Sequence, residues 1–263
     1  MTKLIRDPRR YIPITFKVAQ QSLSYLFRNG AFFLQGQMDI SPRSRWHSPE
    51  FVARTGGFFP AGERGARTIS DLEPWDTTRR DMLILLLRLI VERGVPGELA
   101  ELGVYRGSTA RLIHHYMPER PLHLFDTFEG FSIRDVEAEK GRTAIRADAG
   151  HFGDTSVQRA RAWIAPVNDN VHFHKGLFPD SIPAGFADRR FALVHLDADL
   201  YEPIRAGLTF FYPRMSPGGL IVIHDYNAWA GARQAVDEFF RDKREVPLPM
   251  PDKSGSALIM KQA

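Results

Sequence analysis

The chain predicts a doubly wound α/β domain built on a mostly parallel sheet. From Arg79 onward, short apolar runs alternate with amphipathic stretches of helical length, the pattern of successive βαβ units. A glycine-bearing turn, ELGVYRGS, joins the first apolar run to the first following helix. Several runs also close on glycine or an acidic residue, which puts polar chemistry at the carboxyl ends of strands, where open α/β sheets bind ligands.

The elements follow in order. DTTRRDMLILLLRLIVERG, residues 76–94, predicts a helix ended by Gly94 and Pro96. Strands are expected at 98–103, 121–126, 171–176, 191–197 and 219–225. Helices are expected in STARLIHHYM, TSVQRARAWI, YEPIRAGLTFFYPRM and GARQAVDEFFRD. SGSALIMK reads as a closing, antiparallel strand, and residues 128–156 as a long irregular loop of the kind that covers substrates. There is no internal repeat.

Composition narrows the class. With 43% hydrophobic and 25% charged residues over 263 positions, a disordered or fibrous chain is excluded and one sizeable core is within reach. The absence of cysteine removes disulfides, thiolate metal sites and cysteine nucleophiles. MTKLIRDPRRYIP lacks the apolar stretch of a secretory signal, and no window is apolar enough to span a membrane, so a cytoplasmic location is expected. The net charge of +4 is concentrated at the front: residues 1–54 hold nine Lys/Arg and three Asp/Glu. Without a dense basic run this reads as a solvated face, with no nucleic-acid partner and with peripheral membrane contact left open.

The turn Glu101-Leu-Gly103-Val-Tyr105-Arg-Gly107-Ser108 has the form of a nucleotide-type loop, in which glycine admits a close ligand and a helix start offers N–H groups. Its G-x-x-x-G spacing is neither the dinucleotide fingerprint nor a P-loop. S-adenosylmethionine needs no pyrophosphate cradle, but it needs partners for an amino acid, a ribose diol and an adenine. Glu101 is the candidate for the ammonium, and Asp126, ending the second strand, for the ribose hydroxyls.

Two acidic groups end the fourth and fifth strands, Asp197-Ala-Asp199 and His224-Asp225. Carboxylates converging there without Lys or Arg repel unless a cation intervenes, and hard oxygen donors suit Mg²⁺ or another divalent cation. Asp197 and Asp225 are the favoured ligands, and Asp199 is read either as the cap of the helix starting near Tyr201 or as a support behind them. Methyl transfer is an in-line displacement, and a hydroxyl acceptor must lose a proton, for which His224 and Asp197 are the candidate bases.

Six segments in order, ELGVYRGS, LFDTFEGF, KGLFPDSIP, FALVHLDADLYEP, YPRMSPGGLIVIHDY and GARQAVDEF, resemble the macrocin O-methyltransferase (TylF/MycF) family over about residues 70–263. The resemblance implies a class I methyltransferase, Rossmann-like, with a mostly parallel seven-stranded sheet over residues 77–263 and a helical extension at 1–76 that forms a lid or oligomer contact. It implies S-adenosylmethionine bound over Gly103, Tyr105, Gly107, Ser108 and Asp126 with Asp197 beside it, a metal on Asp197, His224 and Asp225, a homo-oligomer, and a glycan or glycosylated small molecule as acceptor. One departure stands out: His224 replaces the first of two consecutive aspartates common in the family, which bears on the metal held. Two alternatives remain: a metal-independent enzyme with His224 as base, and a non-catalytic binding protein whose Arg6, Arg9 and Arg10 meet a membrane or partner.

Overall fold

The computed structural model describes residues 76–142 and 148–263. The expected extension at 1–76, including Arg6, Arg9 and Arg10, therefore lies outside the described residues save for Asp76.

Helix α1 spans Thr77–Glu92 and starts where Asp76 accepts the Arg79 backbone N–H at 3.0 Å. It ends at Gly94, φ +60°, with the Gly94 N–H bonded to the Val91 carbonyl and the Val95 N–H to the Ile90 carbonyl. This is a Schellman ending, and the left-handed residue it requires is the glycine read as the stop.

The parallel strands are β1 (Glu98–Leu102), β2 (Leu122–Asp126), β3 (Val171–Lys175), β4 (Phe191–Leu196) and β5 (Met215–Ile223). Helices α2 (Ser108–Tyr116), α3 (Ile133–Lys140), α4 (Val157–Ile164), α5 (Tyr201–Phe211) and α6 (Ala230–Phe240) connect them, followed by β6 (Leu248–Pro249) and β7 (Ala257–Met260). The seven-stranded sheet runs β3-β2-β1-β4-β5-β7-β6. Strand β7 is antiparallel to β5, pairing Ile221 with Ile259, so SGSALIMK does close the sheet in the expected sense.

Strand order reverses between β1 and β4, which opens a crevice beyond their carboxyl ends. Every residue of β4 is buried, as helices on both faces demand of a central parallel strand. Phe125, Phe191 and Phe211 are fully buried in the core between the sheet and α5 and α6, each stabilising by roughly 2–3 kcal/mol.

Two expectations need correction, and one strand went unread. The stretch 128–156 is not wholly irregular: Ser132 accepts the Asp135 N–H at 3.0 Å and starts α3, whose polar exterior hid it. Strand β5 begins at Met215 rather than Gly219, because the register shift opposite Phe191 and Leu193 absorbs its Pro-Gly-Gly segment. Strand β6, two residues long and ending in proline, carries no alternation to read.

Candidate active site

The crevice holds a cleft of about 290 Å³. Of the residues singled out in the sequence, Glu101, Gly103, Tyr105, Ser108, Asp126, Asp197, His224 and Asp225 all line it. Gly107 does not; it stands behind, as the N-cap of α2 at φ +86°.

Close approach explains Gly103. At φ +87° it lies so near β4 that a Cβ would sit 2.0 Å from the Asp197 carbonyl oxygen. The glycine thereby brings the ends of β1 and β4 together and lets Asp197 face the loop. Asp126 organises that loop: Oδ2 accepts the N–H groups of Val104 at 2.7 Å and Tyr105 at 2.8 Å, and Oδ1 that of Phe128 at 2.5 Å. The Thr127 hydroxyl lies 3.4 Å from Oδ1 and 2.7 Å from the Gly130 carbonyl, which it can donate to instead. Tyr105, at φ +50°, donates its hydroxyl to Asp154 at 2.6 Å and meets Phe152 edge-on.

Glu101 is 1% exposed and accepts from His195 Nδ1 at 3.2 Å. Burial pushes His195 down to about 3, so its ring is neutral. The segment after β2 adds Gly130, Phe131, Ser132, Asp135 and Phe152 to the lining. Glu139, buried on α3, fastens that segment by accepting the Tyr201 N–H at 2.8 Å.

The acidic strand ends do meet. His224 Nδ1 lies 2.8 Å from Asp197 Oδ1 and 3.3 Å from Asp225 Oδ2, and one ligand atom from each of the three lies within 4.8 Å of the others. Their repulsion is offset by the cationic side chains beside them. Burial opposes charge on His224, but the Asp197 and Asp225 carboxylates outweigh it and lift the imidazole up to about 10. Burial works against ionisation of Asp197 too, yet His224 and the Arg79 guanidinium, 3.4 Å from Oδ2, hold it well below the usual carboxylate range.

The expectation that these carboxylates converge without Lys or Arg is thus corrected, because Arg79 reaches Asp197 from α1. Sequence reasoning missed Arg79, though a signal existed. Leu83, Leu87 and Ile90 form the buried stripe of α1, and Arg79 lies one turn before Leu83 on that same face.

Asp199 is not a helix cap. The N-cap of α5 is Leu200, without a side-chain bond, and Asp199 sits buried at φ +58°. Burial, then the neighbouring Asp197 charge, raise its carboxyl well above the usual value, and protonated it hydrogen-bonds Asp225. It therefore backs the cluster.

Two carboxylates and one imidazole form a donor set that fits a divalent cation. The imidazolium now supplies the charge between the carboxylates, and a metal there would replace its proton. The imidazole nitrogen favours a transition-metal ion such as Mn²⁺ over Mg²⁺ more than an all-oxygen site does.

The family model for macrocin O-methyltransferase (TylF) matches residues 76–260. The chain is 31% identical over 191 residues to the 8-demethyl-8-(2,3-dimethoxy-alpha-L-rhamnosyl)-tetracenomycin-C 4'-O-methyltransferase of Streptomyces olivaceus, covering 69% of this chain and 72% of that one. It is 32% identical over 162 residues to the demethyldecarbamoylnovobiocin O-methyltransferase of Streptomyces niveus, covering 57% of this chain and 60% of the relative. Among solved structures, the O-methyltransferase NovP superposes with a TM-score of 0.59 at 23% identity, over 71% of this chain and 80% of that one, a likeness of fold. Among the described residues, no helix is long and apolar enough to cross a membrane.

Proposed function

The chain belongs to the macrocin O-methyltransferase (TylF) family and is an S-adenosylmethionine-dependent O-methyltransferase, and from that premise we propose that it methylates a sugar hydroxyl of a glycosylated natural product or glycan, with a divalent cation held by Asp197, His224 and Asp225. The observation that carries this reading is the convergence of those three side chains, from two adjacent strand ends, in the cleft that Gly103 and Asp126 shape. The Streptomyces olivaceus relative, named for a 4'-O-methylation on a rhamnosyl compound, supports the acceptor class.

In this reading Asp126 accepts from the ribose hydroxyls and Glu101 from the amino-acid ammonium. The acceptor oxygen bonds to the methyl carbon as the carbon–sulfur bond breaks, giving the methyl ether, S-adenosylhomocysteine and one proton. Holding donor and acceptor in line is the largest task. The bound cation would lower the acceptor hydroxyl's pKa and fix its orientation. His224 or Asp197 receives the proton. A His224 held near 10 by the carboxylates is protonated at neutral pH and accepts nothing, so its service as base requires that another charge take over between Asp197 and Asp225.

The metal-free alternative has one observation in its favour: His224 and Arg79 already balance Asp197 and Asp225. Both readings meet the same assay, in which labelled methyl donor is incubated with a panel of glycosylated metabolites, with and without exhaustive chelation. Turnover on a sugar hydroxyl that stops on chelation and returns with Mg²⁺ or Mn²⁺ supports the proposal. Turnover that survives both chelation and Asp197→Asn supports the metal-free enzyme. Methyl transfer confined to acceptors without sugars overturns the acceptor class.

A further inference from the structure

We propose that Arg79 is the binding residue for the α-carboxylate of S-adenosylmethionine, completing a zwitterion clamp whose other half is Glu101. This deepens the reading above and rests on its assignment of the cleft to the cofactor.

The amino-acid end of the cofactor carries one positive and one negative group on the same carbon. A cleft that binds it needs a fixed anion and a fixed cation side by side. Glu101 supplies the anion, held by His195 at the end of β1. Among the described residues that line the cleft, the basic side chains are Arg79, Arg106 and His224. His224 is committed between Asp197 and Asp225. Arg106 pairs with Asp154, both substantially exposed, where solvent weakens any grip on an anion.

Arg79 has the opposite setting. It is 9% exposed, its guanidinium lies 3.3 Å from the Thr109 hydroxyl in the first turn of α2, and it is close enough to His195 to oppose that ring's protonation. Arg79 bonds Thr109 in the first turn of α2 and Asp197 after β4, and Ser108 of the same turn also lines the cleft. The N-cap of α2 is a glycine with no side chain to cap it, so the positive end of the helix dipole adds to the guanidinium field. A planar guanidinium presents five donors and takes a carboxylate in two parallel bonds. Arg79 therefore sits where an anionic group, next to an ammonium on Glu101, meets both a buried cation and a helix start.

Its contact with Asp197 gives the clamp a second consequence. Arg79 holds Asp197 Oδ2 while His224 holds Oδ1, so the group that grips the cofactor also orients the acidic side chain facing the acceptor. Arg79 is thereby a positioning residue for Asp197 as well.

The test pairs a change in the protein with a change in the ligand. Calorimetric titration of the full chain uses S-adenosylhomocysteine and its decarboxylated analogue, which keeps the ammonium and the adenosine. For the wild type, removing the carboxylate weakens binding about tenfold or more, the yield of one charge-assisted contact. Arg79→Gln weakens S-adenosylhomocysteine by a similar factor and leaves the analogue within about twofold. If Arg79→Gln does not fold, Arg79→Lys serves, with the preference for the carboxylated ligand shrinking several-fold, since a point charge lacks the planar fork. Equal losses for both ligands, or an undiminished preference in the variants, overturn the proposal. A wild type that binds neither ligand instead removes the assignment of the cleft to the cofactor.

Discussion

His224 reaches across from the end of β5 to donate to Asp197 Oδ1 at 2.8 Å, locking together the ends of β5 and β4. Neither side chain has its ordinary charge behaviour: the imidazole is lifted to about 10 and the carboxyl pressed down, each stabilising the ionised form of the other against burial. Mutually shifted pairs in a cleft are candidates for functional chemistry.

Asp197→Asn keeps the side chain's shape and removes its charge. The expected outcome is a fall in kcat of about 100-fold or more, with S-adenosylhomocysteine affinity held within a few-fold. Steady-state kinetics with parallel calorimetry separates this from a change confined to KM.

His224→Asp converts the donor set to three carboxylates. Harder oxygen donors should shift metal preference toward Mg²⁺ over Mn²⁺, read as the ratio of activating concentrations of the two ions. An unchanged ratio would mean that the imidazole does not contact the metal.

Gly103→Ala places a Cβ against the Asp197 carbonyl and forces an alanine to φ +87°. Left-handed strain and overpacking together cost about 2–4 kcal/mol, lowering Tm by roughly 5–15 °C for a domain of this size. A variant with native Tm would show that β1 and β4 are farther apart than described.

Acid stability follows from a histidine cluster on β2 and β3. Burial pushes His123 and His174 down to about 4, and the two share a 3.1 Å hydrogen bond, with Glu98 on the other His123 nitrogen at 2.9 Å. Unfolded, each titrates near the ordinary imidazole value of 6.5, so the unfolded chain binds more protons between the two values. Their contribution is complete above pH 6.5 and disappears as pH falls toward 4. His224 works with the opposite sign: its folded value near 10 contributes below 6.5 and is lost as pH climbs to 10. Thermal melts across pH should therefore fall away on both sides of neutrality, and His174→Gln should flatten the acid limb alone.

Much of this was legible because buried strands and capped helices write their physics locally. The five parallel strands show as apolar runs, Gly94 marks the Schellman ending, and Asp126, Asp197 and His224-Asp225 stand at strand ends where polarity has no packing use. Arg79 and Glu139 were not, since each acts through partners more than 60 positions away, Asp197 and Tyr201. Helix α3 stayed hidden because only Val136 and Glu139 of its eight residues are buried, which leaves almost no apolar stripe.

The most direct test of the central claim is methyl transfer by Asp225→Asn as a function of Mn²⁺ concentration, at saturating S-adenosylmethionine. A cation held on Asp197, His224 and Asp225 predicts an activating concentration at least tenfold above wild type, with activity abolished by chelation in both proteins. Equal activating concentrations, or full wild-type activity after exhaustive chelation, would contradict it.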